Sequence, residues 1–156
     1  MARRVYFAFH YQRDVWRVNQ VRNSNIVEGF DEAGFIDSSL WEEAKKKGDE
    51  AIKRLIDNGL KNTTVTVVLI GAKTSEREYV DYEINQSWKK GNGLFGVYIH
   101  NLENQLGKTD IKGDDPFVNL GYDGIRTYDW VNDDGYENLG EWVDAAYDRA
   151  QKRQKK

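Results

Sequence analysis

The 156-residue sequence predicts an α/β protein with a doubly wound five-stranded parallel sheet, in the order 2-1-3-4-5, and helices on both faces. Two observations lead to this fold class. Short β-branched and aromatic runs alternate with segments of helical periodicity, and strands separated by helices join through right-handed crossovers into a parallel sheet. The length fits one domain at residues 1–156, with a core at about 3–150 and a basic tail at 151–156.

The first third of the chain contains two predicted strands and two predicted helices. Residues 4–10, RVYFAFH, form an aromatic and aliphatic run that is typical of a strand buried on both faces. We expect Asp14 to cap the helix that follows, and residues 25–30 to form a weaker second strand. The pattern S-L-W-E from Ser39 is a capping box, which predicts one helix from there to about Gly59.

The middle of the chain contains the clearest strand of the sequence. Residues 65–70, VTVVLI, are mostly β-branched, as is typical of buried strands. A second capping box from Ser75 to Glu78 predicts another helix, which should end near Lys90 because Gly91 follows it.

The C-terminal part of the chain completes the predicted sheet. Residues 94–100, LFGVYIH, form the fourth strand, and residues 125–131 form a short fifth strand at an edge. The acidic stretch 101–137 predicts a long irregular connection with room for a short helix. Apolar residues at helical spacing from Leu139 to Ala150 predict an amphipathic helix, with the KRQKK end as its frayed tail.

The composition excludes several classes of protein. No apolar run approaches the ~18–20 residues of a membrane span, and no signal peptide is evident, so we expect a cytoplasmic protein without membrane contact. The chain has no cysteine and a net charge of −3, which excludes thiolate metal sites and gives no basic field for nucleic acid. It contains neither a P-loop nor a dinucleotide fingerprint. The acidic clusters lack calcium-loop spacing, so we predict no metal site.

Glu83 is the residue whose position is most informative. On the helix predicted from Ser75, Val80 and Ile84 belong to the apolar stripe, Glu83 flanks that stripe, and Tyr79 lies one turn earlier on the same side. In a flavodoxin-like sheet this helix begins at the ligand crevice, between the first and third strands. A carboxylate there can be partly desolvated and held in place for catalysis. By spacing alone, a structural role on the surface or in an ion pair is the simpler interpretation.

The end of the predicted first strand supplies two further candidates. His10 lies at the mouth of the same crevice and is, taken alone, either a catalytic group or an ordinary hydrogen-bonded loop histidine. Phe9 precedes it and is either a core residue or an aromatic surface on which a planar ligand stacks.

Four segments of the chain carry a family resemblance. They are VYFAFHYQRDVWRVNQVRNS, GFDEAGFIDSSLWEEA, TVTVVLIGAKTSEREYVDYEINQSW and LFGVYIHN. In this order they resemble the bacterial TIR-like family of the ThsB component of Thoeris anti-phage defence, over roughly residues 3–150. The most specific parts are FAFHY from Phe7 together with RDVW from Arg13, and VDYEI from Val80. The family commonly has tryptophan two residues before its Asp-Tyr-Glu equivalent, near which this chain has Tyr79.

The resemblance implies a TIR-like fold and an enzyme that uses NAD+ as its substrate, without a separate cofactor. Family members make a cyclic ADP-ribose isomer or a related nucleotide, which activates a separate effector protein. A phage-derived trigger and a homo-oligomer are further expectations. The resemblance places the catalytic carboxylate at Glu83, and the loop near residues 31–35 joins the candidate pocket. The substrate-binding candidates are Phe9, His10, Tyr11, Ser75 and Tyr79.

Two other classes of function stay open. A non-catalytic TIR-like adaptor would act through self-association or protein partners and would release no nicotinamide. A flavodoxin-like binding protein is the third candidate. It is weakened because the chain reads HYQR after the first strand, where a Ser/Thr/Gly-rich phosphate loop is needed.

Overall fold

Four parallel strands form one sheet in the computed structural model, which describes residues 4–23, 36 and 38–154. The predicted α/β class and parallel sheet are therefore confirmed. The strand predicted at residues 25–30 lies outside the described residues, so the fifth strand and the full order 2-1-3-4-5 stay predictions. The four strands, hydrogen-bonded in chain order, are β1 (Val5–Ala8), β2 (Val65–Ile70), β3 (Gly93–Tyr98) and β4 (Thr127–Asp129).

Helices cover both faces of the sheet. They are α1 (Tyr11–Arg22), α2 (Ser38–Lys47), α3 (Asp49–Leu60), α4 (Glu78–Lys90), α5 (Pro116–Asn119) and α6 (Gly135–Gln154). Successive strand side chains point to opposite faces, so Val5 and Phe7 of β1 pack with buried residues of α1 and α6. Tyr6 and Ala8 pack on the other face, with buried residues of α2, α3, α4 and α5.

The single helix predicted from Ser39 to Gly59 is wrong, because two helices occupy that segment. α2 ends at Lys47 and α3 begins at Asp49. Between them Gly48 has a φ of 108°, which interrupts the helical backbone and which other residues rarely adopt. The break allows α3 to bury its own apolar stripe, which consists of Ile52, Ile56 and Leu60.

The start of α1 also differs from the prediction. The helix begins at Tyr11, and Nδ1 of His10 accepts a hydrogen bond from the N–H of Arg13 at 3.3 Å, so His10 is the N-cap. Asp14 is therefore not the cap, and it lies in the first turn with its side chain buried. β1 ends at Ala8, which shortens the predicted strand and leaves the histidine in the connection to α1.

The start of α4 is the third difference. The capping box predicted at Ser75 is wrong, because Thr74–Glu76 forms a 3-10 turn and the helix begins only at Glu78. Short 3-10 turns of this kind are common at the ends of α-helices. The predicted end of the helix is confirmed: α4 stops at Lys90, and Gly91 follows in the left-handed conformation.

The C-terminal part largely agrees with the prediction. β4 is short and lies at an edge of the described sheet, α5 is the short helix within residues 101–137, and α6 buries the predicted apolar stripe. The fraying expected of the KRQKK end is wrong for residues 152–154, which continue α6, because Arg153 packs on the ring of Trp88. In the described part of the chain, no helix combines the length and the apolar character that a membrane span needs.

Candidate functional site

Glu83 lies near the middle of α4, on the face that packs against the sheet. Its side chain is only 3% exposed, and Val80, Ile84 and Ser87 of the same helix are buried beside it. The hydroxyl of Tyr6 in β1 donates a hydrogen bond to Oε2 of Glu83. The sequence predicts that Glu83 flanks the apolar stripe, whereas the structure places it within the stripe as a buried carboxyl group.

Burial controls the protonation of this carboxyl group. Removal from water raises the pKa of Glu83 from its ordinary 4.5 to about 8, although the Tyr6 hydroxyl and the positive charge of Arg77 act in the opposite direction. The pKa of Tyr6 is raised as well, first by its burial and then by the neighbouring Glu83. The carboxyl group is therefore mainly protonated at neutral pH while it stays covered.

Four aromatic side chains, which we call the aromatic row, connect the end of β1 to α4. The ring of Phe9 stacks on that of Tyr11, with 5.9 Å between the centroids. Tyr11 in turn stacks on Trp41 at 5.3 Å, and Trp41 meets Tyr79 edge-on at 6.1 Å. Tyr79 lies one helical turn before Glu83. The row thus gathers three of the predicted substrate-binding residues at the helix that carries the candidate carboxylate.

The two tyrosine hydroxyls of the aromatic row have different surroundings. The hydroxyl of Tyr79 donates to Oδ1 of Asp49 at 2.8 Å, which fastens α4 to the start of α3. The hydroxyl of Tyr11 is buried and has no hydrogen-bond partner among the described residues. A buried polar group without a partner is unfavourable. Tyr11 is therefore the member of the row that can gain most from hydrogen-bonding a ligand.

His10 and Ser75 differ in their relation to Glu83. Burial and the positive charge of Arg77 lower the pKa of His10, and the same Arg77 charge acts on Glu83. The positive charge of Arg77 therefore acts on both the histidine and the carboxyl group. Ser75 is partly exposed, in the 3-10 turn before α4, and does not belong to the aromatic row. The loop at residues 31–35 lies outside the described residues.

Three residues of this arrangement were missed by the sequence analysis, namely Tyr6, Trp41 and Arg77. Tyr6 lies 77 positions before Glu83, in a strand whose aromatic residues all have the pattern of core residues. Only the packing of helix on sheet reveals their contact. The sequence analysis considered Trp41 only as part of a capping box. The large aromatic side chain within that pattern is a signal that the sequence does contain, and the structure shows that it is buried.

A second buried carboxyl group lies beside the 3-10 turn. Asp14 is 1% exposed, and burial raises its pKa although Arg13 lies at 3.3 Å. The hydroxyl of Thr74 donates to it at 3.4 Å, and Arg13 also bonds Asp110 at 2.7 Å. These contacts join α1, the turn and the loop after β3. No three potential metal-ligating side chains converge anywhere in the described ranges 4–23 and 38–154.

Comparison with known proteins identifies the family. The family model described as Thoeris protein ThsB, TIR-like domain, matches residues 6–104. The chain belongs to this family. A relative from Bacillus cereus (strain MSX-D12), named putative cyclic ADP-D-ribose synthase ThsB1, is 39% identical over 191 aligned positions. That alignment covers 92% of this chain and 100% of the relative.

The ThsB TIR-like match coincides with the candidate site. It begins at Tyr6 and includes Glu83, the aromatic row and the turn with Ser75. β4 and α6 lie beyond residue 104 and therefore outside the family-model match. The alignment with the Bacillus cereus relative covers 92% of the chain, so it extends past residue 104. The recognised segment therefore holds the candidate site, while the later segment completes the described sheet and covers one of its faces.

Proposed function

We propose that this ThsB TIR-like protein is an NAD+ nucleosidase and ADP-ribosyl cyclase, with Glu83 as its catalytic carboxylate. It takes NAD+ as substrate in the cytoplasm, breaks the bond between nicotinamide and ribose, and releases a cyclic ADP-ribose-type signal. In this proposal a phage-derived trigger starts the reaction, and the signal activates a separate effector protein. The name of the relative, a putative cyclic ADP-D-ribose synthase, supports this choice of reaction.

The observation that carries the proposal is the buried carboxyl group of Glu83, bonded to Tyr6 and one turn from Tyr79. Loss of nicotinamide leaves a ribosyl oxocarbenium ion, and a carboxylate nearby stabilises that charge best where water is scarce. Nicotinamide carries the positive charge already, so it leaves without an added proton. A neighbouring cation lowers the pKa of a carboxyl group, so bound NAD+ favours ionisation of Glu83 from its resting value of about 8.

The contact between Tyr6 and Glu83 leaves one carboxylate oxygen for the substrate. Tyr6 bonds Oε2 of Glu83, and a carboxylate accepts hydrogen bonds at both of its oxygens, so Oε1 can accept from a ribose hydroxyl of the substrate. The aromatic row supplies planar surfaces for stacking, and Tyr11 supplies a hydroxyl that has no partner among the described residues. His10 and Ser75 complete the proposed lining. Water as acceptor gives linear ADP-ribose, whereas a ribose hydroxyl of the same molecule gives a cyclic product, which requires a pocket poor in water.

The test compares three forms of the protein in phage-infected cells. Glu83→Gln removes the proposed carboxylate, and Glu78→Gln makes the same change at an exposed position of the same helix. Mass spectrometry of lysates measures NAD+, nicotinamide and species with the mass of ADP-ribose. We expect an infection-dependent ADP-ribose isomer with the wild type and Glu78→Gln, and none with an equally abundant, folded Glu83→Gln. An unchanged product from Glu83→Gln would remove that residue from the mechanism.

The covered position of Glu83 favours a second candidate function, the non-catalytic TIR-like adaptor. A carboxyl group that is 3% exposed and bonded to Tyr6 also suits a structural role in the core. An adaptor would act through self-association or protein partners. It would protect cells with no release of nicotinamide, and its activity would follow surface substitutions near residues 31–35. Protection by the wild type with unchanged NAD+ and nicotinamide would therefore favour the adaptor over the enzyme.

A further inference from the structure

A small cleft lies at the amino edge of the sheet, where β3 begins. Its volume is about 150 Å³, and its walls come from α4, α6 and the segment before β4. Trp88 contributes from α4, Arg149 and Arg153 contribute from α6, and Asp123 and Gly124 border the opening. We call this feature the arginine cleft. It is distinct from the Glu83 site, which faces Tyr6 of β1.

Arg149 has donor capacity that the described residues do not use. Its Nη2 atom is buried and has no hydrogen-bond partner among the described residues. A guanidinium group carries five N–H donors, and a buried donor without an acceptor is unfavourable. Arg149 lines the cleft, so one wall of the cleft is a positively charged group with a donor for which the described part of the chain supplies no acceptor.

Arg153 adds a second guanidinium group, one helical turn after Arg149 and on the same side of α6. Its guanidinium carbon lies 3.8 Å from the centroid of the Trp88 ring, and its Nη2 donates to the backbone oxygen of Asn92 at 3.2 Å. These contacts position the group without neutralising its charge. Burial lowers the pKa of Arg153, as expected for a cation that is partly removed from water.

We propose that the arginine cleft binds the phosphate group of a small ligand. Guanidinium groups pair with phosphate through parallel N–H···O bonds, and two of them on successive turns can share one tetrahedral anion. The volume equals that of about five water molecules, which suits a phosphate group but not a whole nucleotide. The guanidinium group of Arg153 covers the ring of Trp88, and the centroid of the Tyr122 ring lies 5.0 Å from the centroid of the Trp88 ring. A nucleotide base would therefore find little aromatic surface in the cleft.

Asp123 limits the affinity of the cleft. It is exposed at the border of the cleft, and it forms no ion pair with Arg149 or Arg153 in the described structure. Its negative charge opposes the approach of a phosphate group. Removing that charge should therefore strengthen binding. The inference stands apart from the proposed function, because none of these residues belongs to the Glu83 site or the aromatic row.

Titration calorimetry of the purified full chain with inorganic phosphate, at constant ionic strength, tests the inference directly. Arg149→Gln removes the unpaired donor, while Lys152→Gln removes the same charge from an exposed position of α6 and is the matched control. We expect Arg149→Gln to weaken phosphate binding at least about tenfold, equivalent to about 1.4 kcal/mol. Lys152→Gln should change it less than about twofold, as for an exposed charge, and Asp123→Asn should strengthen it. Acetate, as the carboxylate probe, should bind more weakly.

The outcomes separate a built site from general electrostatic attraction. Loss of binding confined to Arg149→Gln, with an unchanged circular dichroism spectrum and melting temperature, supports the phosphate site. Three results would overturn it, namely no phosphate binding by the wild type, equal weakening by Lys152→Gln, or equal affinity for acetate. If Arg149→Gln does not fold, Arg149→Lys keeps the charge but loses the planar fork, and it should still bind phosphate more weakly than the wild type.

Discussion

Replacing Glu83 by glutamine should stabilise the protein at alkaline pH and have little effect near the pKa of an exposed carboxyl group. Burial raises the pKa of Glu83 from 4.5 to about 8, so the folded protein keeps a proton that the unfolded chain releases. Between pH 4.5 and about pH 8 the free energy of unfolding of the wild type must therefore fall as the pH rises. Glutamine has a similar shape and stays neutral, so the variant lacks this dependence.

The magnitude follows from the two pKa values. Each tenfold change in proton affinity corresponds to about 1.4 kcal/mol, so full ionisation of folded Glu83 lowers the free energy of unfolding by about 5 kcal/mol. At neutral pH the loss has already reached about 3 kcal/mol. Domains of this size are stable by only about 5–15 kcal/mol in total, so an effect of this size is readily measured.

Urea unfolding, followed by tryptophan fluorescence between about pH 5 and about pH 9, measures this difference. Glu78→Gln is the control, because it removes a carboxylate from an exposed position of the same helix. The curve of Glu78→Gln should follow that of the wild type, while the advantage of Glu83→Gln should grow steadily with pH. Parallel curves for the wild type and Glu83→Gln would refute a buried, protonated Glu83.

Three further substitutions test the packing around the site. Tyr6→Phe removes the hydroxyl that lowers the pKa of Glu83. The midpoint of the pH–stability curve, which is the pH at which half of the stability has been lost, should therefore move to higher pH. Trp41→Ala removes the centre of the aromatic row and should lower the free energy of unfolding in urea by about 3–5 kcal/mol. Gly93→Ala would place a Cβ atom 2.5 Å from the backbone oxygen of Ala146, and should lower the free energy of unfolding by about 1–3 kcal/mol. An unmoved midpoint, or stability losses well below these ranges, would contradict the contacts described.

The elements that the sequence predicted correctly are those whose signal is local. β2 is a run of β-branched residues that is buried throughout, and its predicted and observed bounds agree. α6 repeats apolar residues at helical spacing over several turns, which leaves little ambiguity. Helix starts were predicted less well, because capping residues compete. His10, and not the predicted Asp14, is the N-cap of α1. Gly48 separates α2 from α3 in the segment where one helix was predicted.

The candidate site could be predicted only in part, for a different reason. The resemblance pointed to Glu83 and to three members of the aromatic row, yet spacing on α4 placed Glu83 at the edge of the apolar stripe. Its burial depends on Tyr6, which meets it across 77 positions of sequence. The aromatic row likewise depends on Trp41, which joins residues of two distant segments. Contacts between segments so far apart leave no periodic pattern in a single sequence.

The position of α6 has a consequence for anyone who wishes to excise or transplant this module. The segment that matches the family model ends at residue 104, but one of the two buried apolar clusters also contains side chains of α6. Those side chains share the cluster with Phe95 and Val97 of β3, and they are Leu139, Trp142, Val143 and Ala146. A fragment cut at residue 104 would expose that face of the sheet to water and invite aggregation. The end of the recognised segment is thus not the end of the buried core, and a transplantable unit has to include α6.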